Sequence, residues 1–239
     1  MGSLLLVSLL FAASAHGQTF IDLSVITGPG TFNTTTNGIT TTMVVTDGGA
    51  LTSYDSSTAA QTHLGVTQAT GGAIDIQFTF TDATSAAYFF NPGELKFWFE
   101  DIETSTTAGT DAPQSSEFVS FSGTTWGNFT FEGDSQFGGG FGGGFASAPS
   151  ANDTLWNQSS QYAVGTLGPV NTDEPTFSVS NSVATSGFGV SFGNNTTSAG
   201  RDTKYVHDVA LSINPVPEPS SFALLGLSAM SVLLRRKRS

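Results

Sequence analysis

Apolar and polar residues alternate one by one through most of this chain, and that pattern restricts its fold more than any other feature. The segment AIDIQFTFTD places Ile74, Ile76, Phe78 and Phe80 on one face of an extended chain and polar residues on the other. A period of two residues is typical of strands with one buried and one solvated face, and therefore of antiparallel sheets. The pattern continues in GELKFWFEDIE, SEFVSFSG, TWGNFTFEG, GFGVSFGN and YVHDVALSIN.

Shorter segments add further strands. The same alternation predicts strands within residues 20–26, 40–46, 162–164 and 176–179. Turn sequences such as GPG, DGG, TGG and NPG separate the segments. No helical period appears between the two ends of the chain. We therefore predict a single all-β domain, an antiparallel β-sandwich of jelly-roll-like architecture.

The body of the chain is strongly acidic. Residues 18–214 contain eighteen Asp and Glu side chains against Lys96, Arg201 and Lys204, which leaves a net charge near −15. Because so few cations cannot neutralise phosphates, nucleic acid is excluded as a partner. An anionic membrane surface is equally unfavourable for the body, whereas calcium, cationic groups and neutral sugars are compatible with its charge.

The sequence lacks the motifs of common catalytic sites. It contains no cysteine, which excludes a thiol nucleophile, a thiolate zinc site and a redox role. Neither a Gly-x-Ser-x-Gly nucleophile elbow nor a His-Glu-x-x-His metal motif occurs. We predict that the protein is not an enzyme. A glycan-active enzyme with paired carboxylates is a less favoured alternative.

Acidic residues are concentrated in two places that suit calcium. Asp101, Glu103 and Glu117 surround a polar loop after a predicted strand, and Asp202 and Asp208 lie near the last strand. Calcium takes about six to eight oxygen ligands in loose geometry, often from loop carboxylates. The sequence predicts a structural calcium site in the first group, with the second group as another candidate. A solvated acidic rim without metal is the alternative.

Aromatic residues suggest one position for a sugar. Phe outnumbers Trp and Tyr with 20 residues against 3 and 4, which is typical of a core. Trp98 lies on the outward face of its predicted strand, where its indole would stack on a sugar ring. Packing against a loop or a second sheet is the alternative. The segment TTTNGITTT is Thr-rich but has no Thr-x-Thr ladder at a fixed period, so an ice-binding face is less favoured.

The beginning of the sequence has the features of a signal peptide. The apolar stretch LLLVSLLFAASA ends in small residues and has the length of a signal-peptide core. We predict a signal peptide over residues 1–17, with cleavage after Gly17 favoured over cleavage after Ala15, and a β-sandwich domain over residues 18–214. A retained signal anchor is the alternative, since no Lys or Arg precedes the apolar stretch.

Residues 215–239 contain three parts in order: a Pro-Glu-Pro motif, an apolar segment at 222–234 and a basic end. Thirteen helical residues reach about 20 Å, less than the hydrocarbon core of about 30 Å, and the cations hold their end on the cytoplasmic side. We predict a short hydrophobic helix that anchors the chain transiently and is then cut away; a permanent anchor is the alternative. The motif and basic residues are Pro217, Glu218, Pro219, Arg235, Arg236, Lys237 and Arg238.

This arrangement resembles the PEP-CTERM sorting signal of Gram-negative bacteria. The resemblance covers about a tenth of the chain. It implies export, processing near the Pro-Glu-Pro motif by an exosortase (a membrane protease-transpeptidase), and an envelope rich in exopolysaccharide. Such a tail determines where the protein is sent and carries no activity of its own.

These features predict an exported protein of the cell envelope or the extracellular matrix, sorted by an exosortase-type system, whose body has a structural or adhesive role. Its expected partners are the export machinery, the exosortase, the membrane through the C-terminal segment, and exopolysaccharide or another glycan. A carbohydrate-binding module that recognises an extracellular glycan is the alternative function. Ice binding and glycan cleavage are less favoured.

Overall fold

In a computed structural model of the chain, the described residues are 18–47, 51–55, 62–68, 72–100, 102, 104–106, 113–133, 154–165, 176–194 and 205–214. Every regular element within these ranges is a β-strand, as the alternation predicts. The strands are β1 (Thr19–Ile21), β2 (Gly30–Thr36), β3 (Ile39–Asp47), β4 (Leu51–Asp55), β5 (Leu64–Gln68), β6 (Gly72–Thr81), β7 (Leu95–Glu100), β8 (Thr104–Thr106), β9 (Pro113–Ser122), β10 (Trp126–Gly133), β11 (Thr154–Asn157), β12 (Tyr162–Gly165), β13 (Thr176–Asn181), β14 (Gly187–Asn194) and β15 (Tyr205–Ile213).

The strands form two antiparallel sheets, which pack as a β-sandwich. The first sheet has seven strands in the order β10-β13-β7-β15-β5-β4, with β1 paired to β15. The second has eight strands in the order β11-β12-β9-β14-β6-β3-β2, with β8 paired to β9. The predicted all-β sandwich is therefore confirmed.

Aromatic side chains fill much of the space between the sheets. Phe97 of the first sheet meets Phe121 of the second edge-on, with ring centroids 5.2 Å apart. Trp126 of the first sheet meets Phe188 of the second at 4.8 Å. Large buried aromatic side chains remove much apolar surface from water, so these contacts account for an important part of the attraction between the sheets.

The segment TTTNGITTT forms the hairpin between β2 and β3. Asn37 and Gly38 have φ angles of 53° and 77°. Two consecutive positive φ angles are the pattern of a type I′ turn, which matches the twist of the flanking strands and favours Asn-Gly. The resulting register places Thr35 opposite Thr40. Threonines that look scattered in the sequence thus become neighbours across two strands.

The predicted strands differ from the observed ones mainly at their ends. The strand predicted within residues 20–26 ends at Ile21, because Asp22 accepts a hydrogen bond from the backbone amide of Ser24 and starts a turn. Strands β2, β4, β5, β8 and β11 lie outside the segments in which strands were predicted. These are strands with few apolar residues or with no more than five residues in all.

Strand β14 carries glycine at three of its outward positions, and close packing explains two of them. A Cβ atom at Gly187 would lie 2.6 Å from the carbonyl oxygen of Phe78, and at Gly193 it would overlap the carbonyl oxygen of Gly72. These neighbours are backbone atoms of the adjacent strand β6, so they cannot rotate out of the way. Glycine therefore allows β6 and β14 to approach closely.

We expect Gly187→Ala to destabilise the fold by about 1–3 kcal/mol, because the strand must shift to accommodate the methyl group. Gly28→Ala is the matched control, since no atom lies within 4 Å of a Cβ there. It should change the free energy of unfolding by less than about 0.5 kcal/mol. Urea unfolding of the two variants measures both values, and equal stabilities would contradict the packing explanation.

Candidate functional site

The outward face of the eight-stranded sheet is almost free of charge, although the body of the protein is strongly acidic. The strand registers align its side chains in rows across β2, β3, β6, β14 and β9. Most of these side chains carry a hydroxyl or an amide, and Asp75 is the one charged group among the described outward positions. The set named here the hydroxyl face is Thr31, Asn33, Thr35, Thr40, Thr42, Thr46, Asp75, Gln77, Thr79, Ser120, Ser122 and Ser191.

Threonines dominate the part of the hydroxyl face nearest β2. The Thr42 hydroxyl donates to Asn33 Oδ1 at 2.7 Å, and the hydroxyl oxygens of Thr35 and Thr40 lie 3.2 Å apart. Thr79 of β6 continues the row beyond Thr42. Adjacent strands lie about 4.8 Å apart, so the three strands display hydroxyl groups at regular intervals.

A low strip runs along β14 in the middle of the hydroxyl face, because glycine residues there do not rise above the backbone as their neighbours do. A Cβ atom at Gly189 would overlap the amide of Gln77 and the hydroxyl of Ser122, which reach over it from the two neighbouring strands. Ser191 is the one described outward position of β14 that is not glycine. Glycine inside a strand often marks a place where a ligand or another backbone approaches closely. Here the amide and hydroxyl groups of the neighbouring strands cover the low strip along β14, and the backbone of Gly189 is buried.

An apolar corner lies beside the hydroxyl face. Phe118 of β9 and Tyr162 of β12 stack with their centroids 5.8 Å apart and their planes 20° from parallel. Leu155 of the neighbouring strand β11 is 60% exposed. A surface that combines a partly exposed aromatic pair with convergent polar groups can contact both the apolar and the hydroxyl-bearing faces of a sugar.

Trp98 lies on the outward face of the other sheet, as predicted, but only 7% of its surface is exposed. Its indole N–H donates to Ser212 Oγ at 2.9 Å, and the Phe20 ring lies 6.1 Å away. The Lys96 ammonium stands 3.9 Å from the centre of the ring. A sugar ring would have to displace these groups to stack on the indole. The structure therefore favours the packed arrangement given above as the alternative.

Lys96 is the one Lys or Arg residue in the described part of the chain. Its Nζ lies 2.5 Å from Glu132 Oε1, and the same carboxylate oxygen accepts a hydrogen bond from Ser178 at 2.6 Å. This ion pair and the cation–π contact hold the Lys96 side chain over Trp98. The lysine thus covers the outward face of the seven-stranded sheet at this point.

Of the predicted calcium ligands, Glu117 is the one whose side chain the structure describes. It is 3% exposed and lies at an inward position of β9. Asp208 belongs to β15, where it lies directly opposite Glu100 of β7. The side chain of Asp208 and the residues Asp101, Glu103 and Asp202 lie outside the described part of the structure.

The topology brings the chain around both predicted calcium sites to the same end of the sandwich. Glu100 ends β7 and is 1% exposed, and its carboxylate accepts a hydrogen bond from the Thr176 hydroxyl at 2.6 Å. Thr104 begins β8 and pairs with the residue before Glu117. Because four residues span at most about 14 Å, the end of β7 and the β8–β9 pair are close in space. Glu100, Glu117 and Asp208 are named here the acidic end.

Among the residues that the structure describes, no three His, Cys, Asp or Glu side chains converge as a metal site. A calcium site at the acidic end would therefore need ligands from residues outside that part of the chain. The predicted calcium site stays a prediction, and so does the acidic rim that is its alternative.

Two ionisable groups have shifted pKa values. Burial, together with the Asp47 carboxylate that accepts a hydrogen bond from its hydroxyl at 3.4 Å, raises the pKa of Tyr54 well above its usual value. The Thr84 hydroxyl and the backbone amides of Thr84 and Ala86 donate to Asp82 and lower the pKa of that carboxyl. Both shifts favour the ordinary charge state at neutral pH, with Tyr54 protonated and Asp82 ionised.

Comparison with known proteins identifies the C-terminal segment. Residues 215–238 match the PEP-CTERM protein-sorting motif, so the predicted sorting signal is confirmed. No curated protein and no solved structure shows significant similarity to the chain. The motif marks an exported protein that an exosortase processes.

The two membrane-related segments lie outside the described residues. These are the predicted signal peptide over residues 1–17 and the apolar segment at 222–234. Nowhere in the described ranges is there a helix that could cross a membrane.

Proposed function

We propose that the body of this exported protein is an adhesive, non-enzymatic domain that binds a neutral glycan of the cell envelope through the hydroxyl face. One observation carries the proposal. A broad sheet face on which hydroxyl and amide side chains predominate, with Val44 as an exposed apolar side chain and Asp75 as its one described charge, occurs in a domain of net charge near −15. On such an acidic protein, a face with a single described charge is a distinct surface.

The chemistry of the hydroxyl face fits a neutral polysaccharide. Hydroxyl and amide groups both donate and accept hydrogen bonds, as sugar hydroxyls do. The net negative charge of the body would repel an anionic polymer, and the face offers no cations to compensate. The Phe118–Tyr162 pair adds an apolar surface at its border. An exosortase-processed protein also reaches the compartment in which envelope glycans occur.

We expect the purified chain to bind neutral polysaccharides in affinity electrophoresis or on a glycan array. Ser122→Arg should reduce the affinity about tenfold or more, because the long side chain would cover the low strip beside Gly189. Ala83→Arg adds the same side chain at an exposed position of the turn after β6, beyond the residues of the hydroxyl face, and should bind normally. Circular dichroism would confirm that both variants are folded.

A third variant distinguishes glycan binding by the hydroxyl face from glycan binding by the outward face of the other sheet. Trp98→Ala should leave binding unchanged if the hydroxyl face is the site, since Trp98 lies on the outward face of the other sheet. Loss of binding in Trp98→Ala with normal binding in Ser122→Arg would favour a carbohydrate-binding site at Trp98 instead. Absence of binding to every neutral glycan tested would contradict the proposed adhesive function.

A further inference from the structure

Each of the two sheets ends in edge strands, and one of these strands is unprotected. Edge strands expose unpaired N–H and C=O groups, so proteins commonly protect them by bulges, charged residues, proline or short length. The edges among the described strands are β10, β4 and the short β1 in the seven-stranded sheet, and β11, β2 and the short β8 in the eight-stranded sheet.

All of these edges except β2 carry such protection. Strand β10 has two register irregularities against β13, and β4 has one against β5. A bulge increases the local twist and turns the edge away from a potential partner. Strand β11 has only four residues, and β1 and β8 have three each, so these edges offer few groups for pairing.

Strand β2 lacks all of these features. Its seven residues pair with β3 in an unbroken register from Gly30 to Thr36. Residues 23–46, which include β2 and all of β3 except its last residue, Asp47, contain no Asp, Glu, Lys, Arg or His. Within the described part of the chain, no backbone group of residues 31–36 bonds to anything beyond β3. Among the residues that the structure describes, the outer edge of β2 is thus long, regular, uncharged and unpaired.

We propose that β2 pairs with the β2 strand of a second copy of this chain, antiparallel about a twofold axis. An antiparallel strand pair is self-complementary, so the same edge can serve both partners. The net charge of −12 opposes association of two copies over most of their surfaces. The uncharged edge is where two copies approach with the least repulsion.

The pairing joins two eight-stranded sheets into one continuous sheet. Thr31, Asn33 and Thr35 of both copies then lie side by side, and the two hydroxyl faces become one surface. This inference rests on the edge of β2 and is independent of what the hydroxyl face binds. A single strand pair buries less than the roughly 1,000 Å² of a stable interface, so the association is weak in dilute solution. Before the predicted tail is cut away, tethering of many copies in one membrane would raise the effective concentration.

Disulfide trapping tests the pairing directly, because the chain has no cysteine of its own. Thr31→Cys, Asn33→Cys and Thr35→Cys place single thiols on the outward side of β2. Thr46→Cys and Thr79→Cys are matched controls at exposed positions of the same face, on strands inside the sheet. Opposed residues of paired strands have Cβ atoms about 4.5–5.5 Å apart, close enough for a disulfide after small movements.

With the full chain at about 1 mM and a mild oxidant, we expect at least one β2 variant to form covalent dimers. The controls should form at least about tenfold less, and association through the apolar tail would affect all variants alike. Equal cross-linking of β2 variants and controls would overturn the proposal.

Sedimentation velocity provides a second measurement without a disulfide. The double variant Thr31→Lys with Thr35→Lys should raise the dimer dissociation constant about tenfold, because like charges face each other across the twofold axis. Thr46→Lys with Thr79→Lys adds the same charge inside the sheet and should leave the constant unchanged. If the unmodified chain is monomeric at about 1 mM, or if both double variants behave alike, the pairing of β2 is refuted.

Discussion

Deletion of residues 235–238 should release the protein into the medium or strand it during export, because no cation then holds the cytoplasmic end of the tail. Cell fractionation measures the distribution of the protein. Replacement of the three arginines by lysine is the matched control: it keeps the charge of the tail and should preserve normal localisation. Localisation that is unchanged by the deletion would argue against retention by the basic residues.

Mass spectrometry of the mature protein gives the complementary result. An exosortase that processes the chain near Pro217, Glu218 and Pro219 should leave a mature C-terminus upstream of Phe222. A mature protein that still ends at Ser239 would instead indicate a permanent anchor.

Millimolar calcium should raise the melting temperature of the purified chain at constant ionic strength. Eighteen acidic side chains in the body repel one another at neutral pH, and this repulsion weakens the compact state. A calcium ion bound only by the folded protein adds about 2.7 kcal/mol at a hundredfold excess over its dissociation constant. For a domain of this size, that corresponds to about 5–11 °C. Differential scanning calorimetry measures the shift.

Controls separate a calcium site from general screening. Magnesium prefers a smaller octahedral site and should have much less effect. Asp101→Asn should abolish the calcium-specific part of the shift, whereas Asp75→Asn removes the same charge from the hydroxyl face and should preserve it. Equal shifts with calcium, magnesium and matched sodium chloride would leave only a solvated acidic rim at the acidic end.

The alternation of residues was sufficient to predict an all-β sandwich but not the order of its strands. A strand such as β6 is easily predicted, because Ile74, Ile76 and Phe78 alternate with polar residues. Strand β2 has a single large apolar residue, Phe32, and therefore gives almost no periodic signal. Any amphipathic strand can pair with any other, so the partners depend on contacts between residues far apart in the sequence.

The candidate sites likewise differ in whether a local sequence pattern or contacts between distant residues define them. Alternation placed Trp98 on the correct face, but its burial depends on Phe20 of β1, which reaches it by pairing with a strand at the other end of the body. The hydroxyl face draws on residues from Thr31 to Ser191, and no short window of sequence shows it. The sorting signal is contiguous, so the sequence alone was enough to recognise it.

The position of β15 has a consequence for the timing of export. This last strand of the body lies in the middle of its sheet, with β7 on one side and β5 and β1 on the other. The seven-stranded sheet cannot close until Ile213 has left the membrane, and the sorting motif begins two residues later. We therefore expect the body to complete its seven-stranded sheet only when the tail alone remains behind, so a half-exported chain would lack the finished sandwich.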